Sequence, residues 1–383
     1  MAKRMYIGQG GLARRVKKIY VGAGGYAARV KKAYVGIGGT ARPFFGGGTP
    51  AYYGRAADLS AERFNMTGVT IGGRAVFAGG CKSVSSAADT ASNDIDLYDG
   101  SLVHTTSTLP AARHRMAGCG MGDWALLAGG KTAADSKTTC ASTVYKVDIS
   151  LTKTAAGTGL TTAVYSAAAA AAGQYALVAG GRTGTSTSAV RAEVYAYDGS
   201  LTWTQAASLS LRRGRLSGCA LGERAVFAGG DAEAAANSYD GSLTRISSPE
   251  VFYHLRHMGT AVLGGRAVFA GGCDSNVSGK AEVYLFDAGL TRTQAAQSFG
   301  RGRPAAGVTL DGYAVFGGGY YGTTAGAWQC DIYDESMTRT APADDMGRVG
   351  ISSGEYTVAG AKAGDYAIFA GDYYAWARAF IQA

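Results

Sequence analysis

The chain has 383 residues, of which 59 are glycine and six are proline; 17% of its residues are charged and 47% are hydrophobic. A 39.1 kDa chain of this composition can bury a large core, which argues against a disordered protein. Its longest apolar run, Ala167–Ala172, is too short to cross a bilayer, and no hydrophobic secretory segment follows the basic residues at the start.

The net charge of +9 is concentrated at the start of the chain. Residues 1–51 contain ten Lys and Arg and no acid, which leaves 27 basic against 28 acidic residues in the remainder. A basic arm therefore precedes a nearly neutral body. The basicity of the whole protein is then no argument for nucleic acid binding.

The arm repeats with a period of 14 residues. Tyr6, Tyr20 and Tyr34 each open a Tyr-x-Gly-x-Gly-Gly unit. Aromatic and β-branched residues before a glycine pair favour short strands and tight turns, so residues 1–48 are predicted to form a small β-repeat arm, at most a meander, ending in a hinge at 49–51. Such short cationic strands need a partner surface for docking or oligomerisation. The predicted docking residues are Tyr6, Tyr20, Tyr34, Lys17, Lys18, Lys31 and Lys32.

A second repeat fills residues 52–383. An apolar run ending in a glycine pair, first seen at Ala75–Gly80, occurs seven times at spacings of 42–53 residues, with the pair altered in the last copy. Between the copies lies a Tyr-Asp-Gly-Ser-Leu segment, as at Tyr98–Leu102, or a looser version of it. The run is typical of a strand buried on both faces, the glycine pair is expected at a crowded axis, and Asp-Gly predicts a hairpin turn. Four short strands in about 50 residues make one propeller blade, so we predict an all-β, seven-bladed propeller.

These residues resemble the kelch-repeat β-propeller family, whose blades carry the glycine pair, a later Tyr-Asp and an Arg before the next blade. That Arg recurs as Arg63, Arg113 and Arg213, each 16 residues before the first glycine of its pair. The Trp expected after Tyr-Asp appears only as Trp203. The last blade lacks a fourth strand at the end of the chain, so residues 52–59 are predicted to supply it and to close the ring.

The loops between the second and third strands differ in length and share one face of the propeller with the links between blades. Variable loops on a rigid scaffold commonly carry function, so we predict a binding face there. The candidate binding residues are Arg182, Tyr320, Tyr321, Asp274, Asn276, Arg113, His114 and Arg256. The Arg-His-Arg run at 113–115 and the His-Leu-Arg-His run at 254–257 have the residue types of an anion or metal site. Bonds from the repeat arginines to carbonyl groups at blade junctions explain the pattern more simply, and no third metal ligand is visible.

Chemistry beyond binding finds little support in the sequence. The six cysteines have no Cys-x-x-Cys spacing, and equivalent ones lie in non-adjacent blades, so we expect reduced core residues. There is no Ser-His-Asp order, phosphate loop or zinc helix, and the Tyr-Asp-Gly-Ser turn lacks the spacing of the sialidase turn. We therefore predict no enzyme activity, no cofactor and no metal.

The arm repeats resemble N-terminal repeats in structural proteins of tailed phages and prophages of gut Firmicutes, on segments such as Arg15–Gly22 and Val30–Gly36. The resemblance implies a virion protein made in the host cytoplasm, a tail or head fibre or tip component. Its arm, residues 1–48, would anchor to other virion proteins, and its propeller would bind a host surface glycan or protein. We expect a homo-oligomer without membrane insertion.

The alternative is a cytosolic kelch-type scaffold whose arm binds nucleic acid or an anionic polymer. One aromatic residue per 14 suits packing better than base stacking, so nucleic acid is not the expected partner.

Overall fold

The computed structural model describes residues 6–9, 12–15, 20–23, 26–29, 33–37, 40–45, 49–82, 90–132, 139–186, 188–231, 234–252, 255–274, 278–299, 306–318, 326–327, 330–342, 348–349, 358–371 and 375–382. The chain divides into two compact units, Met1–Ala51 with Gln382–Ala383, and Tyr52–Ile381.

The arm unit contains three two-stranded antiparallel hairpins, one for each 14-residue repeat. The paired strands are Tyr6–Gln9 with Leu12–Arg15, Tyr20–Ala23 with Tyr26–Arg29, and Ala33–Ile37 with Thr40–Phe45. The glycine pair of each repeat lies between its two strands. Each repeat is thus a hairpin of its own, and among the described strands of the arm no pairing joins one hairpin to the next as a meander would.

The second unit consists of seven four-stranded antiparallel sheets, which confirms the prediction of an all-β, seven-bladed propeller. In blades 1 to 6 the strands follow chain order from the axis outward. The strands of blades 1 to 3 are Thr67–Ile71, Arg74–Ala78, Asp94–Tyr98 and His104–Thr108; Ala117–Gly120, Trp124–Ala128, Val144–Asp148 and Lys153–Ala155; Ala168–Ala172, Tyr175–Ala179, Val194–Tyr197 and Trp203–Ala206. Those of blades 4 to 6 are Ser217–Leu221, Arg224–Ala228, Ala234–Tyr239 and Arg245–Phe252; Gly259–Leu263, Arg266–Ala270, Val283–Phe286 and Arg292–Gln294; Ala306–Leu310, Tyr313–Gly317, Cys330–Asp334 and Arg339–Thr340. Two short pairs lie outside the blades, Cys81–Lys82 with Thr90–Ala91 and Gly326–Ala327 with Arg348–Val349.

Blade 7 combines the two ends of the propeller chain. Its first three strands are Ala359–Ala363, Tyr366–Ala370 and Ala377–Gln382, and its fourth is Pro50–Arg55. The sequence predicts this closing strand at 52–59. In the structure it begins at Pro50 and ends at Arg55. Just beyond it, the amide of Ala56 donates to the carbonyl of Ala377 at 3.0 Å, which sets the two strands antiparallel.

Side chains of the closing strand also hold blade 7 together. The ring centroids of Tyr52 and Phe380 lie 5.5 Å apart. The guanidinium groups of Arg55 and Arg378 lie 4.8 and 4.5 Å from the ring centroid of Trp376. Such cation–π contacts add to the backbone pairing between the two ends of the chain.

The second strand of each blade forms the core. In blade 1, Ala75–Ala78 are all fully buried, and the corresponding residues of the other six blades are buried as well. Phe77 packs in one cluster with Ala361 and Ile368 of blade 7. The apolar runs are therefore buried on both faces because each sheet is packed between two neighbours.

In blades 1, 3, 4 and 6, the tyrosine of the Tyr-Asp segment joins the blade to the one before it. Its ring is fully buried in four blades, and its hydroxyl donates to a carbonyl group just after the outer strand of the preceding blade. The donor and acceptor residues are Tyr98 and Ala57 (2.8 Å), Tyr239 and Ala207 (2.7 Å), Tyr333 and Gln297 (3.1 Å), and Tyr197 and Thr158 (3.4 Å). Burial raises the pKa of Tyr239 to about 12, so its hydroxyl remains a donor at neutral pH.

The prediction that the glycine pairs crowd the axis is wrong. Gly79 begins the second-to-third loop of blade 1, with φ +64°, and packs against the link before blade 2, where a Cβ on it would meet the carbonyl oxygen of Arg113 at 2.3 Å. Instead, the glycines that lie close to a neighbouring backbone at the axis are those inside the first strands. At Gly307 a Cβ would lie 2.3 Å from the carbonyl oxygen of Thr260 in the preceding blade.

The Asp-Gly turns close one face of the propeller. In blade 1 the Asp99 carboxylate accepts the amides of Ser101 (2.8 Å) and Val103 (3.0 Å), and Leu102 adopts φ +62°. The same pattern of amide bonds recurs at Asp148, Asp198, Asp240, Asp287 and Asp334. Antiparallel pairing puts these turns and the turns between first and second strands on one side, the tight-turn face. The second-to-third loops and the links between blades form the opposite side, the variable-loop face.

Candidate functional site

The variable-loop face carries most of the sequence differences between blades. The segment between the second and third strands ranges from five residues in blade 4, 229–233, to 15 residues in blade 1, 79–93. Loops that vary on a rigid, repeated frame are a common place for binding residues.

A channel runs along the propeller axis between the first strands. One cavity of about 390 Å³ follows the middle of these strands, and another of about 280 Å³ lies toward the variable-loop face. Most lining residues are Gly, Ala or Thr. Cys119 and Cys219 also lie here, and burial raises the pKa of each thiol to about 12, so both stay protonated. The six cysteines, all within the described residues, form no disulfide.

A third cavity, of about 110 Å³, lies where the channel opens on the variable-loop face. Five residues line its rim, each two positions before the first strand of its blade, and we call them the axial ring: Asn65, Arg115, Ser166, Arg215 and His257. They bring polar side chains from five consecutive blades around one small opening.

The backbone of the axial ring has an unusual conformation. All five residues have φ between +50° and +56°, in the left-handed region that non-glycine residues rarely adopt. From Arg115 to His257, four amides each donate to the carbonyl of the ring member in the preceding blade, over 3.0 Å for Arg115 to Asn65 and 2.8 Å for Arg215 to Ser166. Such strain, about 1–3 kcal/mol per residue, persists where the surroundings fix it and is found at ligand sites. The ring is therefore held in one geometry before any ligand binds.

Beside the ring, one carboxylate meets three arginines. Asp231, the residue directly after the glycine pair of blade 4, bonds Arg182, Arg215 at 3.0 Å and Arg256 at 2.9 Å. Although burial opposes it, the charge and hydrogen bonds of Asp231 hold the pKa of Arg182 above its usual value. Asp231 offers one negative charge to three positive ones, so this side of the mouth is electropositive.

The chemistry available at the mouth is the recognition of an anion. Guanidinium groups such as those of Arg115 and Arg215 pair with carboxylate, phosphate and sulfate groups, and the hydroxyl of Ser166 can donate to the same oxygens.

Two predicted binding residues, Arg182 and Arg256, lie near this mouth but are turned inward. Arg182 is only 3% exposed and donates to the carbonyls of Thr185 (2.7 Å) and Ser186 (3.0 Å) besides Asp231. Contrary to the expectation of an exposed anchor, it braces the loop of blade 3 against blade 4. Arg256 is 8% exposed and forms a salt bridge with the same carboxylate, that of Asp231.

The repeat arginines bond carbonyl groups at the blade junctions, as the sequence predicted. Arg63 donates to the carbonyl of Gly79 at 2.7 Å, and Arg113 donates to that of Gly129 at 3.2 Å. Burial lowers the pKa of Arg63 to about 10. His114, beside Arg113, is 2% exposed. Arg113 and His114 are therefore buried at the blade junction. The sequence predicted that both would be binding residues on the surface.

The remaining candidates divide between the surface and the undescribed parts of the chain. Asp274 lies in a surface turn, where its carboxylate accepts the amide of Ser278 at 2.8 Å and pairs with Lys280 at 3.1 Å. The predicted residues outside the described ranges are Asn276, Tyr320, Tyr321, Lys17, Lys18, Lys31 and Lys32. Tyr6, Tyr20 and Tyr34 belong to described strands of the arm hairpins.

The residues predicted from the sequence did not include Asn65, Ser166, Arg215 and Asp231. Two positional signals point to Asp231 and Arg215. Asp231 follows a glycine pair directly, as Arg182 does, and Arg215 stands two residues after the repeat arginine Arg213. Comparing these positions across blades would have singled out the polar residues around the axis.

Within the described ranges, no group of three or more His, Cys, Asp or Glu side chains is placed to hold a metal ion. His254, part of the His-x-x-His run, lies outside those ranges. The same part of the chain contains no helix that could span a membrane.

Comparison with known proteins supports the fold. No protein-family model and no curated protein matches the chain. Solved structures match in large number, 514 chains, so the fold alone does not select a function. One of them, described as "Structure of YjhT", is 12% identical, has a TM-score of 0.55, and covers 75% of this chain and 99% of its own.

Proposed function

We propose that the protein is a virion structural component, a tail or head fibre or tip protein. Its arm docks on other virion proteins, and its kelch-like propeller is a binding head for a host surface glycan. The resemblance of the 14-residue repeats to phage structural proteins supports the virion assignment. The cationic mouth among variable loops supports a binding role.

The direction of the closing strand carries this proposal. Pro50–Arg55 begins at the tight-turn end of blade 7 and ends at the variable-loop end, where Ala56 bonds Ala377. The chain therefore enters the propeller at the tight-turn face. The axial ring and the variable loops lie on the opposite face of the propeller from that entry.

Two sets of substitutions in the full chain test this division of labour. Replacing Tyr6, Tyr20 and Tyr34 together by Ser should abolish incorporation into particles, measured by immunogold labelling, while the purified chain still adsorbs to host cells. Substitutions at the axial ring, such as Arg115→Gln, should abolish adsorption to host cells and leave incorporation into particles unchanged. Loss of both properties in both sets would contradict separate docking and binding units.

The nucleic-acid alternative predicts a different result. Binding of the arm to duplex DNA would fall steeply with salt, by about one log–log slope unit per phosphate contact, and would survive the tyrosine changes. A salt titration of the full chain and of the tyrosine variant separates the two. Tight, salt-sensitive DNA binding that ignores the tyrosines would contradict the docking proposal.

A further inference from the structure

We infer that the axial ring binds a single small oxyanion, the phosphate, sulfate or carboxylate group of a host surface polysaccharide. This inference rests on the proposed function and adds the chemical class of the ligand and its contact point.

Charge is the first support. Arg115, Arg215 and His257 line the small cavity, and Asp231 already shares its charge among Arg182, Arg215 and Arg256. An anion at the ring would face at least two guanidinium groups in a partly enclosed site, where charge-assisted hydrogen bonds are strong.

Size and donor chemistry are the second support. A cavity of about 110 Å³ accommodates one oxyanion with little room for a sugar ring, so the rest of the polymer would lie outside on the variable loops. Ser166 lines this cavity and is buried, and its hydroxyl has no hydrogen-bond partner among the described residues. Buried hydroxyl groups are normally satisfied, and an oxyanion oxygen would satisfy this one.

Preorganisation is the third support. Amide-to-carbonyl bonds of 2.8–3.1 Å link Asn65, Arg115, Ser166, Arg215 and His257 in sequence, so their Cα positions are fixed relative to one another. Asp231 holds the Arg215 guanidinium at 3.0 Å. A preformed site loses little entropy on binding, which favours even a small ligand.

Calorimetric titration of the full chain with phosphate, sulfate and acetate, at constant ionic strength, tests the inference. We expect saturable one-to-one binding of at least one anion, and the ranking of the three identifies which group the polymer presents. Arg115→Gln should weaken that binding about 10-fold or more. Arg212→Gln is the matched control because it removes the same charge from an exposed residue in the link before blade 4, and it should change the affinity less than about 2-fold.

Ser166→Ala provides a second variant, since it removes only a hydroxyl and tests the site even if Arg115→Gln fails to fold. We expect a several-fold loss of anion affinity with an unchanged melting temperature. Absence of saturable binding in the wild type, or equal affinity in Arg115→Gln, Ser166→Ala and Arg212→Gln, would overturn the inference.

Cell adsorption then separates this inference from the proposed function. If the wild type adsorbs to host cells and folded Arg115→Gln adsorbs equally, the propeller is a binding head that uses another site. If anions bind at the ring but the wild type does not adsorb to cells, the oxyanion site stands and the host-binding function fails.

Discussion

The hydroxyl of Tyr98 donates a hydrogen bond of 2.8 Å to the carbonyl oxygen of Ala57, and this bond ties the first blade to the strand that closes the last. Tyr98→Phe keeps the buried ring and removes only the bond, so it should cost about 1 kcal/mol of unfolding free energy, or about 1–2 °C in melting temperature. Tyr175→Phe is the control, since Tyr175 is half-buried and makes no hydroxyl bond within the described chain. Equal melting temperatures for wild type and Tyr98→Phe would contradict a role for this bond.

The crowding of the axis predicts a contrast between two glycines. Gly307→Ala puts a Cβ 2.3 Å from the Thr260 carbonyl oxygen and 2.8 Å from the Phe316 ring, and should destabilise the propeller by about 3 kcal/mol. Gly157→Ala meets nothing within 4 Å and should be neutral or slightly stabilising. Urea unfolding of the two variants measures both values, and similar costs would show that the axis tolerates side chains.

Closure of blade 7 predicts a local effect of Trp376→Ala. The change removes the ring contacted by Arg55 and Arg378, and should cost about 2 kcal/mol. Hydrogen exchange should then accelerate at the amides of residues 51–55 more than in blade 3. Trp203→Ala, in the outer strand of blade 3, is the control and should leave exchange in the closing strand unchanged. A uniform loss of protection in both variants would contradict a local closure.

The turns that follow the third strands, such as Asp287–Thr291, predict a stability effect that disappears in acid. Hydrogen bonds from the Thr291 amide, and then from Gly289, hold the pKa of Asp287 below its usual value, although desolvation opposes this. A carboxyl group whose pKa is lower in the folded state contributes stability above its unfolded pKa, about 4, and loses it as pH falls through the folded value. Asp287→Ala should therefore melt below the wild type at pH 7, and the gap should narrow toward pH 2–3. A gap independent of pH would show that the carboxylate charge is not involved.

Much of the propeller could be predicted because its signals are local. The run Ala75–Gly80 carries its own burial pattern, and an Asp-Gly pair such as Asp99-Gly100 specifies its own turn. Because these signals recur seven times at similar spacing, they predict a propeller of seven blades. The bonds of Arg63 and Arg113 to carbonyl groups followed from the same repetition.

The candidate site could not be predicted in the same way. Arg115, Ser166 and Arg215 lie about 50 residues apart in sequence and meet only after three blades have packed around the axis. Their left-handed conformation has no signal in composition, since none of them is glycine. Arg182 looked like an exposed anchor because sequence alone does not show that Asp231, in the next blade, draws it inward.

The pairing of Pro50–Arg55 with Ala377–Gln382 has a consequence for how the protein is made. Pro50–Arg55 is the first propeller strand to be synthesised, and its partner, Ala377–Gln382, is the last. At 5–20 residues per second, roughly 15–65 s separate the synthesis of the two. Throughout that interval blade 7 is incomplete, so the ring can close only after translation of the propeller is finished.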